Sequence, residues 1–423
     1  MGGEVKNMRR LLLAASLLVL VAGCGSPGPV AAGNYKLYEA ASARTGQLVA
    51  LIDTQSRTTE RRLPWGVPST DGKHFYALSA KALQDIDPRS GSVLRTLQLP
   101  GSFEMPPATL GGAPGGLSQN GRYLVLQATG PRTSATHMLL IDTQQFNVTK
   151  RIDLNGKFDF DAVNNNGQGV YVIQYPNPAD NYYHVRVYEV PMGQLGAYTV
   201  VDKGGPGEIM TGVRLSGVFS PDGQWLYSLY ARENQGAFVH ALNLSNPYAF
   251  CLDLPGSGYV SNMNAFQWSL AMTPDGRHIY AANGPMGLVT QIDNLDGNAP
   301  SIVHNGKFPM IGSTASLFVK DVAAKEMSSQ GPRGAAVSHD GKTLVTAGLN
   351  GLIWIDTSSL QVRNRTLANW SVSSLAASPD GAMLYAVSDA GAIAELSMAS
   401  ARVIATFDPA EGLPMGLLRV EPA

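Results

Sequence analysis

From residue 35 onward the apolar positions come in short runs. Met383-Leu384-Tyr385-Ala386-Val387, Ala392-Ile393-Ala394-Glu395-Leu396 and Val403-Ile404-Ala405-Thr406-Phe407 follow one another, each bounded by Gly, Asp, Asn or Ser. Runs of this length with alternation and turn residues at both ends predict β-strands. No long stretch carries a 3.6-residue apolar period, which argues against a helical fold. With the small-apolar run Ser374-Leu375-Ala376-Ala377 in front, the last complete repeat reads as four antiparallel strands in about 45 residues, the size of one propeller blade.

The turn after the first of these strands recurs seven times. The copies are Ser69-Thr70-Asp71-Gly72, Ser118-Gln119-Asn120-Gly121, Asn164-Asn165-Asn166-Gly167, Ser220-Pro221-Asp222-Gly223, Thr273-Pro274-Asp275-Gly276, Ser338-His339-Asp340-Gly341 and Ser378-Pro379-Asp380-Gly381. Asp-Gly and Asn-Gly tolerate the positive φ of a tight hairpin, and a Ser or Thr three residues earlier can hydrogen-bond back into the turn. These Asp residues are therefore read as turn residues, and none is assigned a catalytic role.

Third strands give a different count. Leu51-Ile52-Asp53, Asp85-Ile86-Asp87, Leu140-Ile141-Asp142, Val187-Tyr188-Glu189, Ala241-Leu242-Asn243, Gln291-Ile292-Asp293, Trp354-Ile355-Asp356 and Ala394-Glu395-Leu396-Ser397 make eight. The extra one lies at the N-terminal end, where no inner strand precedes Tyr35. A spare strand lies at the other end, Gly412 to Val420, with nothing after it to form a blade. The prediction is an all-β propeller of eight four-stranded antiparallel blades, closed by the C-terminal strand completing the N-terminal blade, with residues 34–423 as a single domain. Such closure removes both free sheet edges.

The phrases Ser220 to Tyr227, Thr273 to Asn283 and Leu352 to Thr366 resemble the bacterial surface β-propellers with YVTN repeats, within the lactonase-like propeller superfamily. The resemblance runs from Tyr35 to the C-terminus and implies fold more than function. Seven blades are usual in that family and remain the alternative. Eight blades give about 49 residues each and seven about 56, and the shorter value suits a four-stranded blade.

The first 33 residues break the pattern. Lys6, Arg9 and Arg10 precede an apolar run, Leu11 to Ala22, that is too short to span a bilayer as a helix but suits the apolar region of a signal peptide. It ends Val21-Ala22-Gly23-Cys24, which resembles the lipobox of bacterial lipoproteins. The resemblance implies a signal peptide over 1–23, removal at Cys24, lipidation of Cys24 with thioether-linked and amide-linked acyl chains, and a flexible tether over 24–33. The expected location is extracytoplasmic, anchored to the bacterial membrane through that lipid. Charged residues are only 15% of the chain, and without residues 1–23 the net charge is −3. No Lys/Arg block is present, so nucleic acid is not an expected partner. The second cysteine, Cys251, sits among apolar neighbours and reads as a buried, inert thiol.

Length is distributed unevenly among the connections. Turns between first and second strands, and between third and fourth, stay short. Connections between second and third strands (127–135, 174–183, 230–236) and between blades (101–115, 203–211, 255–264, 307–330) are long. Those two connection types leave a propeller on the same face, so one face is built up and the other is plain. Long loops on a rigid scaffold are where binding residues concentrate. The candidates are Phe103, Glu104, Tyr182, Tyr183, Arg232, Glu233, Tyr259 and Lys320, with a short helix expected within 315–327. The seven His residues show no metal-ligand spacing, and no nucleophile elbow or phosphate loop is present, so no metal, cofactor or catalytic residue is assigned. The leading expectation is a binding scaffold at the cell envelope whose partner is a protein or envelope ligand. The alternatives are a lactonase-like hydrolase or isomerase with an axial site, and an accessory subunit of a periplasmic redox complex.

Overall fold

The computed structural model describes residues 33–131, 134–177, 182–200, 210–294, 299–309, 334–409 and 411–423. Cys24, Lys320, residues 1–32 and the helix expected within 315–327 lie outside them. Residues 32–423 form one compact unit, and its strands assemble into eight antiparallel sheets of blade type.

Blade 1 is built from both chain ends. Its inner strand, Leu413–Pro422, pairs with Tyr35–Ala43, followed outward by Gly46–Asp53 and Thr58–Pro64. The closing register runs from Tyr35↔Pro422 to Ser42↔Leu413. Tyr38 Oη donates to Glu421 Oε1 at 2.9 Å, and Arg62 pairs with Glu411 at 2.5 Å. Blades 2 and 5 to 8 each run inner to outer in chain order. Blade 4 has a split outer position, Gln194–Leu195 at one end and Met210–Thr211 at the other, both paired with Tyr182–Glu189.

Neighbouring blades pack face to face, so the two central strands of each blade are buried on both sides. In blade 5 the second strand, Trp225–Ala231, is wholly buried. Trp225, Tyr227, Leu229 and Ala231 pack toward blade 6, whereas Leu226 and Tyr230 pack toward blade 4. Outer strands have one wet face and alternate, as in Thr58–Pro64. Each fully buried aliphatic side chain contributes roughly 2 kcal/mol, so the blade interfaces carry the stability.

The recurrent turns do two jobs. Within a turn, the leading hydroxyl donates to the third residue, as Ser378 Oγ does to Asp380 Oδ1 at 2.6 Å, and accepts from the N–H five residues on, here Met383 at 2.9 Å. Asn164 substitutes for the hydroxyl in blade 4, accepting from Gly169 N–H at 3.0 Å. Between blades, each turn abuts the one before it. A Cβ at Gly276 (φ +72°) would stand 2.6 Å from Pro221 Cδ, and one at Gly381 would stand 2.7 Å from His339 N. Asn120 N–H donates to Asn165 Oδ1 at 2.9 Å, and Asn165 Nδ2 donates to the Asp222 carbonyl at 3.2 Å. Blade 1, which has no such turn, enters this ring through chain-end residues: Arg419 Nη1 donates to the Thr70 carbonyl at 2.7 Å and Tyr35 Oη donates to Asp380 Oδ2 at 2.6 Å.

Candidate functional site

Among the described residues, the inner strand of blade 3 is broken into two pieces. Its first piece, Phe103–Glu104, pairs with Ala128 and Gln127. Its second piece, Gly116-Leu117, continues the same edge through Val125 N–H to Gly116 O at 2.9 Å and a Leu117–Leu124 bridge. Between them Met105–Gly115 leaves the blade as a small hairpin. It is held by Ala108 N–H to Ala113 O at 2.7 Å, Gly115 N–H to Pro106 O at 2.8 Å and a turn closed by Gly112 N–H to Thr109 O at 2.9 Å. The sequence Pro106-Pro107 and Gly111-Gly112-Ala113-Pro114-Gly115-Gly116 suits this path, because prolines cannot donate to the ladder and glycines permit the reversals. Part of the segment expected to decorate the loop face thus enters the propeller axis.

The hairpin crosses the axis. Leu110 N–H donates to the Leu215 carbonyl of blade 5 at 2.7 Å. Leu215 is available because a bulge between Arg214 and Ser216 drops it out of the ladder register. On the blade 1 side, Gly112 lies against Met415 and Ala113 against Gly416. The hairpin encloses an axial cavity of about 300 Å³. Its wall is mainly apolar, with Val67, Leu117, Phe160, Phe219 and Leu418. Pro68, Leu117 and Phe219, the residues just before three of the tight turns, carry the wall toward the plain face.

Two charged side chains line this cavity, Asp161 and Arg214. Asp161 occupies a bulge between Phe160 and Ala162 in the inner strand of blade 4. Arg214 Nη1 stands 3.3 Å from Asp161 Oδ1, and the Asp161 side chain is fully buried. Neither Asp161 oxygen, nor Arg214 Nε, has a hydrogen-bond partner among the described residues. Burial pushes the Asp161 carboxyl above the usual carboxylate range, and the Arg214 charge opposes that only in part.

Behind the pair, a polar row runs outward through the apolar interface between blades 4 and 5. Gly217, Ser228 and His240 stand opposite one another in adjacent strands and therefore share a sheet face. Ser228 and His240 are completely buried, and among the described residues Ser228 Oγ and both ring nitrogens of His240 lack partners. Tyr230 meets His240 edge-on, with ring centroids 6.4 Å apart, and stacks on Tyr183 at 5.6 Å. The hydroxyls of both tyrosines are also unpartnered. Burial, reinforced by the Arg214 charge, pushes the His240 imidazole down to about 4, so it is neutral at neutral pH.

The residues expected to form the binding face fall into different places. Glu104, Tyr182 and Glu233 are exposed. Phe103 is half-buried against the core of blades 2 and 3. Tyr183 is buried between blades 4 and 5, because alternation along Tyr182–Glu189 turns it inward where Tyr182 points out. Arg232 lies over the Phe238 ring at 5.1 Å and pairs with Asp253 at 3.0 Å, and Tyr259 stacks on Phe266 at 4.7 Å. Cys251 is half-buried rather than fully enclosed. Among the described residues no group of three or more His, Cys, Asp and Glu is placed to hold a metal ion. A wider, open groove of about 690 Å³ lies on the plain face between blades 6 and 7, beside His278 and His339. Its carboxylates are engaged locally: Asp275 accepts from Thr273, Asp340 from Ser338, and His278 is 2.8 Å from Asp293. No described helix is long and apolar enough to cross a membrane.

No protein-family model matches the chain, and no curated protein matches it. Solved structures do. Apo AztD from Citrobacter koseri aligns with a TM-score of 0.55 at 13% identity, over 92% of this chain and 97% of that one. A second AztD structure gives 0.53 at 12% identity with the same coverage. BamB from Moraxella catarrhalis gives 0.49 at 10% identity, over 81% and 87%. At these identities the likeness is one of fold, and the fold is an eight-bladed β-propeller.

Proposed function

We propose that this chain is a lipid-anchored, extracytoplasmic binding scaffold that engages a protein or envelope ligand through its long-loop face. The observation that supports this reading is the one-sided elaboration of the propeller. The described turns between first and second strands keep one compact design, while the long connections, with exposed Tyr182 and Val260, leave the opposite face, where Leu349 in a short turn and Leu413 at a strand end are also exposed. Exposed aromatic and aliphatic side chains on one rim suit a contact surface. The axial cavity favours binding over hydrolysis, since its described lining offers one carboxyl and one guanidinium that already face each other.

Two measurements test the reading. Cross-linking of the full chain in its own envelope should capture a partner that a Tyr182→Asp/Val260→Asp/Leu349→Asp variant no longer captures, while Arg277→Glu/Lys342→Glu on the plain face leaves capture intact. Capture lost from the plain face instead would overturn the assignment of the face. Cys24→Ala should move the protein out of the membrane fraction, and continued retention would refute the anchor.

A further inference from the structure

The polar groups between blades 4 and 5 pose an energetic problem. Asp161, Ser228 and His240 are buried beyond nine-tenths and leave five side-chain oxygen and nitrogen atoms unpartnered. An unsatisfied buried polar group costs about 1–3 kcal/mol, and a buried ion pair that makes no hydrogen bond costs more. A sequence that wanted only a packed interface would place leucine or valine here, as it does at neighbouring Leu226 and Leu242.

The geometry shows where something can enter. A Cβ on Gly217 would lie 3.1 Å from Leu226 Cδ1 and 3.3 Å from both Arg214 Nη2 and Ser228 Oγ, so glycine lets these groups close in over this strand position. Gly217, Arg214 and Asp161 all line the axial cavity, so this close approach forms part of its wall. The cavity volume, about 300 Å³, is at the lower end of small-molecule sites, which run from roughly 300 to 1,000 Å³.

The charges define the ligand. Arg214 and Asp161 stand at ion-pair distance yet make no hydrogen bond to each other. A net anion would meet Asp161 and a net cation would meet Arg214, so neither suits the pair. A molecule carrying both charges on neighbouring groups satisfies both, with its carboxylate on the planar Arg214 guanidinium and its ammonium on Asp161. The wall beside the pair, Phe160, Phe219 and Leu226, is apolar. We propose that the axial cavity is a binding site for a free aliphatic α-amino acid, held as the zwitterion between Arg214 and Asp161 with its side chain against the apolar wall.

Titration calorimetry on the full chain, purified in detergent, tests this with L-alanine, L-valine and L-leucine as probes. At least one should bind saturably. For that amino acid, the amide (no carboxylate) and the N-acetyl derivative (no ammonium) should each bind at least about tenfold more weakly, because each loses a charge-assisted hydrogen bond. Gly217→Ala keeps every polar group but presses its methyl on Leu226 Cδ1 and Arg214 Nη2, so it should displace the guanidinium and weaken binding at least about tenfold. Asp161→Asn should weaken the free amino acid but not its N-acetyl form. No binding by any of the three, equal binding by the capped forms, or unchanged affinity in Gly217→Ala would each overturn the proposal and leave water as the partner of these groups.

Discussion

His240 offers a sharp test of the interior between blades 4 and 5. Its ring is fully buried, both nitrogens are unpartnered, and burial together with Arg214 lowers its protonation to about 4 from an ordinary 6.5. A base whose pKa is depressed by folding contributes stability above the unfolded value and loses it as pH falls toward the folded one. The window is therefore pH 6.5 down to 4. Linkage over that interval gives a loss of about 3 kcal/mol in full, and about 2 kcal/mol between pH 7.5 and pH 5. His240→Leu removes the titrating group and places an aliphatic side chain among Tyr230, Leu226 and Leu242. Near pH 7.5 its stability should match the parent within about 1 kcal/mol, since no hydrogen bond among the described residues is lost. Urea denaturation of both proteins at pH 7.5 and pH 5 isolates the effect, because every other titrating group is common to the two. The parent should lose about 2 kcal/mol more than the variant on acidification. Equal losses would show that His240 is solvated or already protonated, and would refute the burial argument.

Three further outcomes follow from the fold. Burial, then the charges of Glu411 and Asp408, raise the Glu39 carboxyl to about 8. A raised acid loses stability as pH rises between its unfolded and folded values, so Glu39→Gln should suppress a loss of roughly 3 kcal/mol between pH 5.5 and 8, and an unchanged alkaline slope would refute this. Gly276→Ala should cost about 2 kcal/mol or more through its positive φ and the approach to Pro221, with part recovered in Gly276→Ala/Pro221→Ala; a loss under about 0.5 kcal/mol would refute the latch between turns. Deleting Leu413–Ala423 should convert the protein to an unfolded or aggregated form by circular dichroism and gel filtration, because it strips the inner edge from Tyr35–Ala43. A truncated chain with an unaltered melting transition would refute closure.

Blade number and closure were legible because they rest on period: the turn phrase and the Ile-Asp strands recur, and the mismatch between seven and eight located the shared blade. The interior site was less legible, although its signal is present. Three residues before the turn phrase the seven copies carry Gly66, Gly115, Asp161, Gly217, Leu270, Ala335 and Leu375; six before it they carry Leu63, Gly112, Phe158, Arg214, Gln267, Pro332 and Val372. Asp161 and Arg214 are the only charges in either column, and a charge at an inward strand position asks for a reason. What the columns do not show is that two bulges bring these side chains together, since bulges follow from packing and not from the repeat. Tyr183 was placed on the surface because it adjoins a loop, yet strand alternation sends it inward and its neighbour Tyr182 outward. The hairpin at Met105–Gly115 has the Pro and Gly content of an ordinary loop, and only its contacts with Leu215 and Met415 distinguish an inward path from an outward one.

The strand that completes blade 1 is made after every other described strand. A nascent chain that stops short of Leu413 has an open arc, with Tyr35–Ala43 bare at one end and blade 8 at the other. The hairpin can settle against Leu215 in that arc, but its second support, Met415 and Gly416, arrives only with the final residues. The strand Leu413–Pro422 is therefore a keystone for two structures at once. It joins segments nearly the whole chain apart, a topology that makes folding slow, and it traps the hairpin in the axis. Proteolysis within Leu413–Pro422 would act on the ring and on the axial cavity together.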